Sequence, residues 1–264
     1  MSAISELRAA AAFLSPLGQP AGPASSAVTP TPRTMAYFPL VGAAIGALVG
    51  LAWKQAEHSS SRFLAAALAQ AADCGLTGAL HLDGVADTAD GLLAHVPAKD
   101  RLDIMAEPGV GAFAVTAVGV ALMTRVAALA ALEPSPALLA ALYCSSRSVM
   151  VIGARSVPYA RKEGIVTAFL PSGSFPPQTR PGPVDQALLA AVGGAVAALG
   201  LASAVAGRRG AVSVVAGWGA AGLVLESARR RLGGYTGDVL GAAGVACETL
   251  GLVVAAQGTR SPHG

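Results

Sequence analysis

Seven apolar segments constrain this chain more than any other feature. They run over roughly 38–53, 63–80, 110–132, 137–157, 187–206, 211–225 and 239–256. Of its 264 residues, 53% are hydrophobic and 12% charged, where a soluble domain carries about 25% charged residues. So few polar groups cannot cover a water-facing exterior. The pattern predicts an all-α, polytopic integral membrane helical bundle of about six to seven transmembrane helices. Several segments fall short of the roughly 20 residues that span a bilayer, which calls for tilt, polar ends or incomplete spans. Aromatics are scarce and Ala and Gly abundant, a bias that lets membrane helices pack closely. Gly42, Gly46 and Gly50 form one such small-residue stripe.

The remaining composition narrows the class. The formal net charge is +3, but the basic residues are scattered and lack interleaved aromatics, which argues against nucleic acid as a partner. Cys74, Cys144 and Cys247 sit in apolar segments without metal-ligand or redox spacing, and read as small core residues. Ser2 to Leu17 contains Glu6 and Arg8 in a short apolar run, the pattern of an amphipathic interfacial helix and not of a signal peptide. Residues 18–34 read as a flexible linker, 171–183 as a flexible loop and 257–264 as a tail. Neither a repeat nor a boundary divides residues 1–264, so a single membrane-embedded domain is expected.

Charge orients the bundle. With the N-terminus inside and seven crossings, the inner parts carry ten Lys and Arg: Arg8, Arg33, Lys99, Arg101, Arg161, Lys162, Arg180, Arg229, Arg230 and Arg231. The outer parts carry Lys54, Arg62, Arg208, Arg209 and Arg260. This two-to-one bias supports the topology, against the local vote of Arg208 and Arg209.

The chemistry concentrates in His81-Leu-Asp-Gly-Val-Ala-Asp-Thr-Ala-Asp-Gly91. On a helix at about 100° per residue, Asp83, Asp87 and Asp90 occupy an arc of about 60°. Crowded carboxylates in apolar sequence repel and must be neutralised. Hard oxygen donors at this density suit Mg²⁺ or Mn²⁺, with a phosphate-bearing substrate on the far side of the ion. Gly84 and Gly91 would let a substrate or a neighbouring helix approach closely. His81 lies about 200° from Asp83 on the same wheel; it reads equally as a phosphate contact or proton carrier and as a capping or interfacial residue. Asp103 either adds a metal ligand from a second helix or pairs with Lys99 or Arg101.

A second constellation is Gly233-Gly-Tyr-Thr-Gly-Asp238, a helix start whose amides, Gly237 included, can hold phosphate and whose Asp238 can bind metal. Glu248 follows ten residues deeper, in apolar sequence. Arg147, Arg155 and Arg161, with Tyr159, are candidate phosphate contacts. Arg147 lies mid-segment and needs a carboxylate or a substrate phosphate. Arg229 to Arg231 read as positive-inside anchors.

These residues resemble the cobalamin synthase family, the adenosylcobinamide-GDP ribazoletransferases. The likeness rests on the 81–91 motif, on Arg101-Leu-Asp-Ile-Met105, on Pro158-Tyr-Ala-Arg-Lys-Glu-Gly164 and on Gly234-Tyr-Thr-Gly-Asp-Val-Leu-Gly-Ala242. It implies a Mg²⁺-dependent transferase of the bacterial cytoplasmic membrane, working late in coenzyme B12 assembly with its active site facing the cytoplasm. Such an enzyme joins adenosylcobinamide-GDP to α-ribazole or its 5′-phosphate and releases GMP. On that reading Asp83, Asp87, Asp90 and Asp103 hold metal, and His81, Asp87 and Asp238 are catalytic. Arg147, Arg161 and Gly237 contact substrate phosphate. A homo-oligomer or a complex with other cobalamin-assembly enzymes is compatible with it.

The chain departs from the family pattern at Ala106-Glu-Pro-Gly109, where a Lys-Asp-Ser-Arg stretch is usual, and at Ser15-Pro-Leu-Gly18, which replaces an N-terminal Thr-Arg element. Three alternatives stand beside it. An intramembrane prenyltransferase would show Asn-Asp-x-x-Asp, whereas Leu82 precedes Asp83 here. A CDP-alcohol phosphotransferase would show Asp-Gly-x-x-Ala-Arg. An ion transporter would line its midplane with the acids.

Overall fold

The computed structural model describes residues 2–16, 30–161, 164–169 and 185–257. The loop expected at 171–183 and most of the 18–34 linker and the 257–264 tail lie outside the described residues. Helices α1 (Ala3–Leu14), α2 (Phe38–Glu57), α3 (Arg62–Thr77), α4 (Leu80–Leu93), α5 (Ala98–Ile104), α6 (Ala112–Ala130), α7 (Pro136–Ser156), α8 (Gln186–Leu232) and α9 (Gly237–Ala256) make up the bundle, with short 3₁₀ turns at Thr34–Tyr37 and Ile165–Phe169. Among the described residues the only β-type pairing is an isolated bridge between Tyr159 and Tyr235.

Five helices are long and apolar enough to cross a membrane, and the bent pair α3–α4 makes a sixth if it is one span. The packing favours one broken span. The start of α3 lies beside the end of α6, where Arg62 pairs with Glu133. The end of α4 lies at the opposite end of the bundle, where Asp90 meets the start of α6. Between the two halves the chain bends by 90°, through left-handed backbone at Gly78 (φ 60°) and Ala79 (φ 55°).

The 47-residue α8 is two spans in one. Ala206 and Gly207 leave helical geometry, Gly207 with φ 58° and ψ −142°. The chain reverses there so sharply that a Cβ on Gly210 would strike the carbonyl of Ala202. The first limb packs Gly194 on Pro39 and Ser148; the second returns along α7, with Trp218 donating to Ser145 Oγ at 2.7 Å. This matches the two segments expected at 187–206 and 211–225, with Arg208 and Arg209 at the turn.

The glycine stripe packs α2 against α7. A Cβ on Gly42 would stand 2.6 Å from the Tyr143 carbonyl oxygen, and Gly46 and Gly50 meet Leu139 and Pro136 as closely. The N-terminal helix expected from the sequence is α1. It buries Ala9, Ala10 and Leu14, and Phe13 stacks on Phe38 and meets Phe169 edge to face. Composition places residues 30–34 in the linker, but they form a turn and a 3₁₀ start. Buried Glu6 accepts hydrogen bonds from the Thr31 and Thr34 hydroxyls and ties them down. Cys247 is buried and the other two cysteines are half-buried; all three are free thiols.

Candidate active site

The ends of α4, α7 and the second limb of α8 meet the starts of α6 and α9 at one end of the bundle. The acidic motif lies there. On α4, Asp83 is exposed, and Asp87 and Asp90 are half-buried. The start of α9 packs directly on this helix: a Cβ on Gly84 would stand 2.7 Å from the Asp238 carbonyl oxygen. That approach brings Asp238 beside the α4 acids, and the negative charges of Asp238, Asp83 and Asp90 all act on Asp87, opposed by Arg161. We expect Gly84→Val to overpack the α4–α9 contact, costing about 1–3 kcal/mol and lowering activity, measured by thermal unfolding and turnover of one preparation.

The second constellation is a helix start, as its residues imply. The Thr236 hydroxyl caps α9 by accepting from Val239 N at 3.3 Å, and Gly237 and Asp238 form the first turn. The preceding loop is pinned by the exchange of backbone bonds between Ala160 and Tyr235 and between Tyr235 and Pro158, each 2.8 Å. The Tyr159 and Tyr235 rings pack edge to face above it, their centroids 5.3 Å apart. This places Arg161, whose Nη2 lies 3.6 Å from Asp238 Oδ2 and donates to the Met105 carbonyl at 3.3 Å.

Asp90 has a structural duty besides its place in the motif. Its two carboxylate oxygens accept from Gly111 N at 2.7 Å and Ala114 N at 3.0 Å, and so cap α6 from another helix. An anion at a helix start is favoured by the free amides and the helix dipole. Asp90→Ala should therefore lower stability by about 0.5–2 kcal/mol, a loss readable in the unfolding midpoint and absent from Asp83→Ala. The C-terminal end of α4, just beyond Asp90, is capped by cations. Arg101 donates to the Gly91 and Leu92 carbonyls, each at 2.8 Å, and Arg231 also donates to Leu92. Arg101 therefore serves α4 and not Asp103, which is exposed on α5. Gly91 is the close approach expected of it, packed against Met105. Arg229 and Arg230 pair with Glu226 at the surface.

A second polar cluster lies inside the bundle. Arg125 donates to Gln70 at 2.8 Å, Asp73 at 3.2 Å, Tyr143 at 2.8 Å and Glu248 at 3.0 Å. Arg147 pairs with the other oxygen of Glu248 and with Ser146. Of the residues expected to clamp phosphate, Arg161 thus reaches the acids at the bundle end, while Arg147 does not. A cation in mid-span must be neutralised where it lies, and Glu248 does so. Arg155 is likewise engaged, 2.7 Å from Asp185. His81 is buried on the side of α4 away from Asp83. It lines the same interior with Asp73, Thr77, Arg125, Arg147 and Glu248. Arg125, Asp73 and Gln70 belong to no local motif; their mark in the sequence is that of polar residues isolated in the apolar segments 63–80 and 110–132.

Among the described residues no three His, Cys, Asp or Glu side chains close on one point as a metal cage. The donor set still fits a hard divalent cation of the kind that keeps water and substrate phosphate in its shell. Four carboxylates from two packed helices supply oxygen and negative charge, and leave coordination positions for a diphosphate.

The fold and this site define a polytopic membrane protein with a carboxylate cluster at one end of a helical bundle, beside the Arg161 guanidinium and the start of α9. The family model described as cobalamin-5-phosphate synthase matches residues 6–256, and the chain belongs to that family. It is 37% identical over 235 residues to an adenosylcobinamide-GDP ribazoletransferase of Ralstonia nicotianae, covering 87% of this chain and 86% of the relative. A protein of the same description from Syntrophobacter fumaroxidans is 36% identical, covering 89% and 92%. Another from Bradyrhizobium diazoefficiens is 35% identical, covering 96% and 94%. No solved structure matches the chain.

Proposed function

We propose that this protein transfers the adenosylcobinamide-phosphate moiety of adenosylcobinamide-GDP to α-ribazole or α-ribazole 5′-phosphate, releasing GMP. The products are adenosylcobalamin or its 5′-phosphate. The observation that carries this reading is the convergence of Asp83, Asp87 and Asp90 on α4 with Asp238 and Arg161 at one end of a membrane bundle. Family membership supplies the substrate class.

A free ribose hydroxyl of the ribazole, other than the 5′ position whose phosphate is kept in the product, loses its proton and forms a bond to the phosphorus on the cobinamide side as the bond from that phosphorus to the GMP oxygen breaks. Asp83, Asp87 and Asp90 would hold Mg²⁺, which when bound neutralises the diphosphate and stabilises charge on the leaving oxygen. Arg161 binds phosphate oxygens from the other side, oriented by Asp238 and the Met105 carbonyl. The first amides of α9, beginning at Gly237, offer a further anion contact. Asp238 orients the ribazole hydroxyl and takes its proton. The mid-span carboxylates Asp73 and Glu248 are already paired with arginine, which supports a transferase over a transporter that carries ions on free acids. The positive-inside bias and the location of the motif support a bacterial cytoplasmic membrane with this end facing the cytoplasm.

The test is GMP release from adenosylcobinamide-GDP with each ribazole form, with Mg²⁺ and after exhaustive chelation. Turnover is expected with Mg²⁺ and lost without it, and returns when the ion is restored. Undiminished turnover after chelation removes the metal from the mechanism. Absence of GMP release under every condition removes the reaction.

A further inference from the structure

The break between α3 and α4 opens a cleft inside the bundle, at the level of the buried ion pairs. Asp73, Thr77, His81, Arg125, Arg147 and Glu248 line it, with Val245 on one wall, and it is wide enough for about one water molecule. His81 is 6% exposed. Among the described residues neither of its ring nitrogens has a hydrogen-bond partner, and Arg147 Nε also lacks one. Polar atoms so enclosed are costly unless something meets them.

We infer that this cleft is a binding site for one small neutral guest, a water molecule, which bridges His81 to the Arg125–Arg147–Glu248 cluster. Charge decides the class of guest. The guanidinium groups of Arg125 and Arg147 face the carboxylates of Asp73 and Glu248, so the cluster is balanced and calls for neither an anion nor a cation. A neutral imidazole presents one donor and one acceptor, and water answers both. The interrupted helices add need for it. The break amides of Gly78 and Ala79 donate to the Cys74 carbonyl, and the first intrahelical bond of α4 runs from Asp83 N to the Ala79 carbonyl, so the amides of Leu80, His81 and Leu82 have no partner within the helix. The guest ties the start of α4, one turn before the acidic residues, to groups on α3, α6, α7 and α9. The inference stands apart from the reaction proposed above.

The full chain, labelled with ¹⁵N-histidine and embedded in phospholipid bilayers, tests it by solid-state NMR transfer from water protons to the histidine rings. His81 is expected to receive magnetisation from a slowly exchanging water, while exposed His58 and His95 report bulk contact. Val245→Leu, which fills the cleft with a methylene, is expected to erase the His81 signal and leave those of His58 and His95. Absence of water contact at His81 in the unsubstituted protein overturns the inference without recourse to any variant. Its persistence in folded Val245→Leu does so too, as does a His81 shift that follows replacement of gluconate by chloride, which would reveal an anion.

Discussion

Replacing Asp87 with alanine is expected to abolish GMP release while the protein remains inserted and folded. Asp87 is the central member of the acidic group: it feels the charges of Asp238, Asp83 and Asp90 at once, with Arg161 the opposing cation. It therefore lies where an ion bridging α4 and the substrate diphosphate must be held. Losing such electrostatic support costs about 10²–10³ in turnover, and the repulsion that Asp87 creates in metal-free protein disappears with it, so stability should hold or rise. Asp87→Asn preserves shape and removes charge, and should lose activity to a similar degree. Steady-state GMP release, paired with thermal unfolding of the same preparations, checks both. Near-wild-type turnover in the alanine variant would sink the metal-site reading.

Arg125→Met should be among the most destabilising single substitutions in the chain, at about 3–5 kcal/mol. One guanidinium on α6 holds Gln70 and Asp73 of α3, Tyr143 of α7 and Glu248 of α9. Without it Asp73 loses its cation inside the bundle, and Glu248 keeps only Arg147. Arg125→Lys keeps the charge but not the planar fork, so it should recover part of the loss and not all of it. Arg229→Ala is the surface comparison. Its partner Glu226 is solvated, and no measurable change in unfolding is expected. Equal midpoints for Arg125→Met and Arg229→Ala would show that the buried network does not hold the helices together.

The two predictions concern residues of opposite legibility. Asp87 is visible in one dimension because helical spacing alone puts it on the face of Asp83 and Asp90. Asp238 stands out as the acid of a glycine-rich helix start, but nothing local places it beside Asp87. That depends on Gly84, whose missing side chain lets α9 approach. Arg125 lies in an apolar segment with its charged partners Asp73 and Glu248 52 and 123 residues away, and so shows only as an isolated charge. The family resemblance puts Arg147 on substrate phosphate, yet its counterion is Glu248, 101 residues further on. Asp90 belongs to the motif by spacing and to the cap of α6 by contact.

Local rules thus determined the helical membrane class, most of the apolar segments, the glycine stripe of α2 and the acidic face of α4, because hydropathy and helical period act over a few turns. Only tertiary structure decided which charges neutralise one another inside the bundle, that α3 and α4 form one broken span, and that Arg161 and Asp238 complete the acidic end. Those choices follow from the distance-dependent pairing of groups far apart in the chain, where burying a charge is tolerated only if the fold delivers its partner.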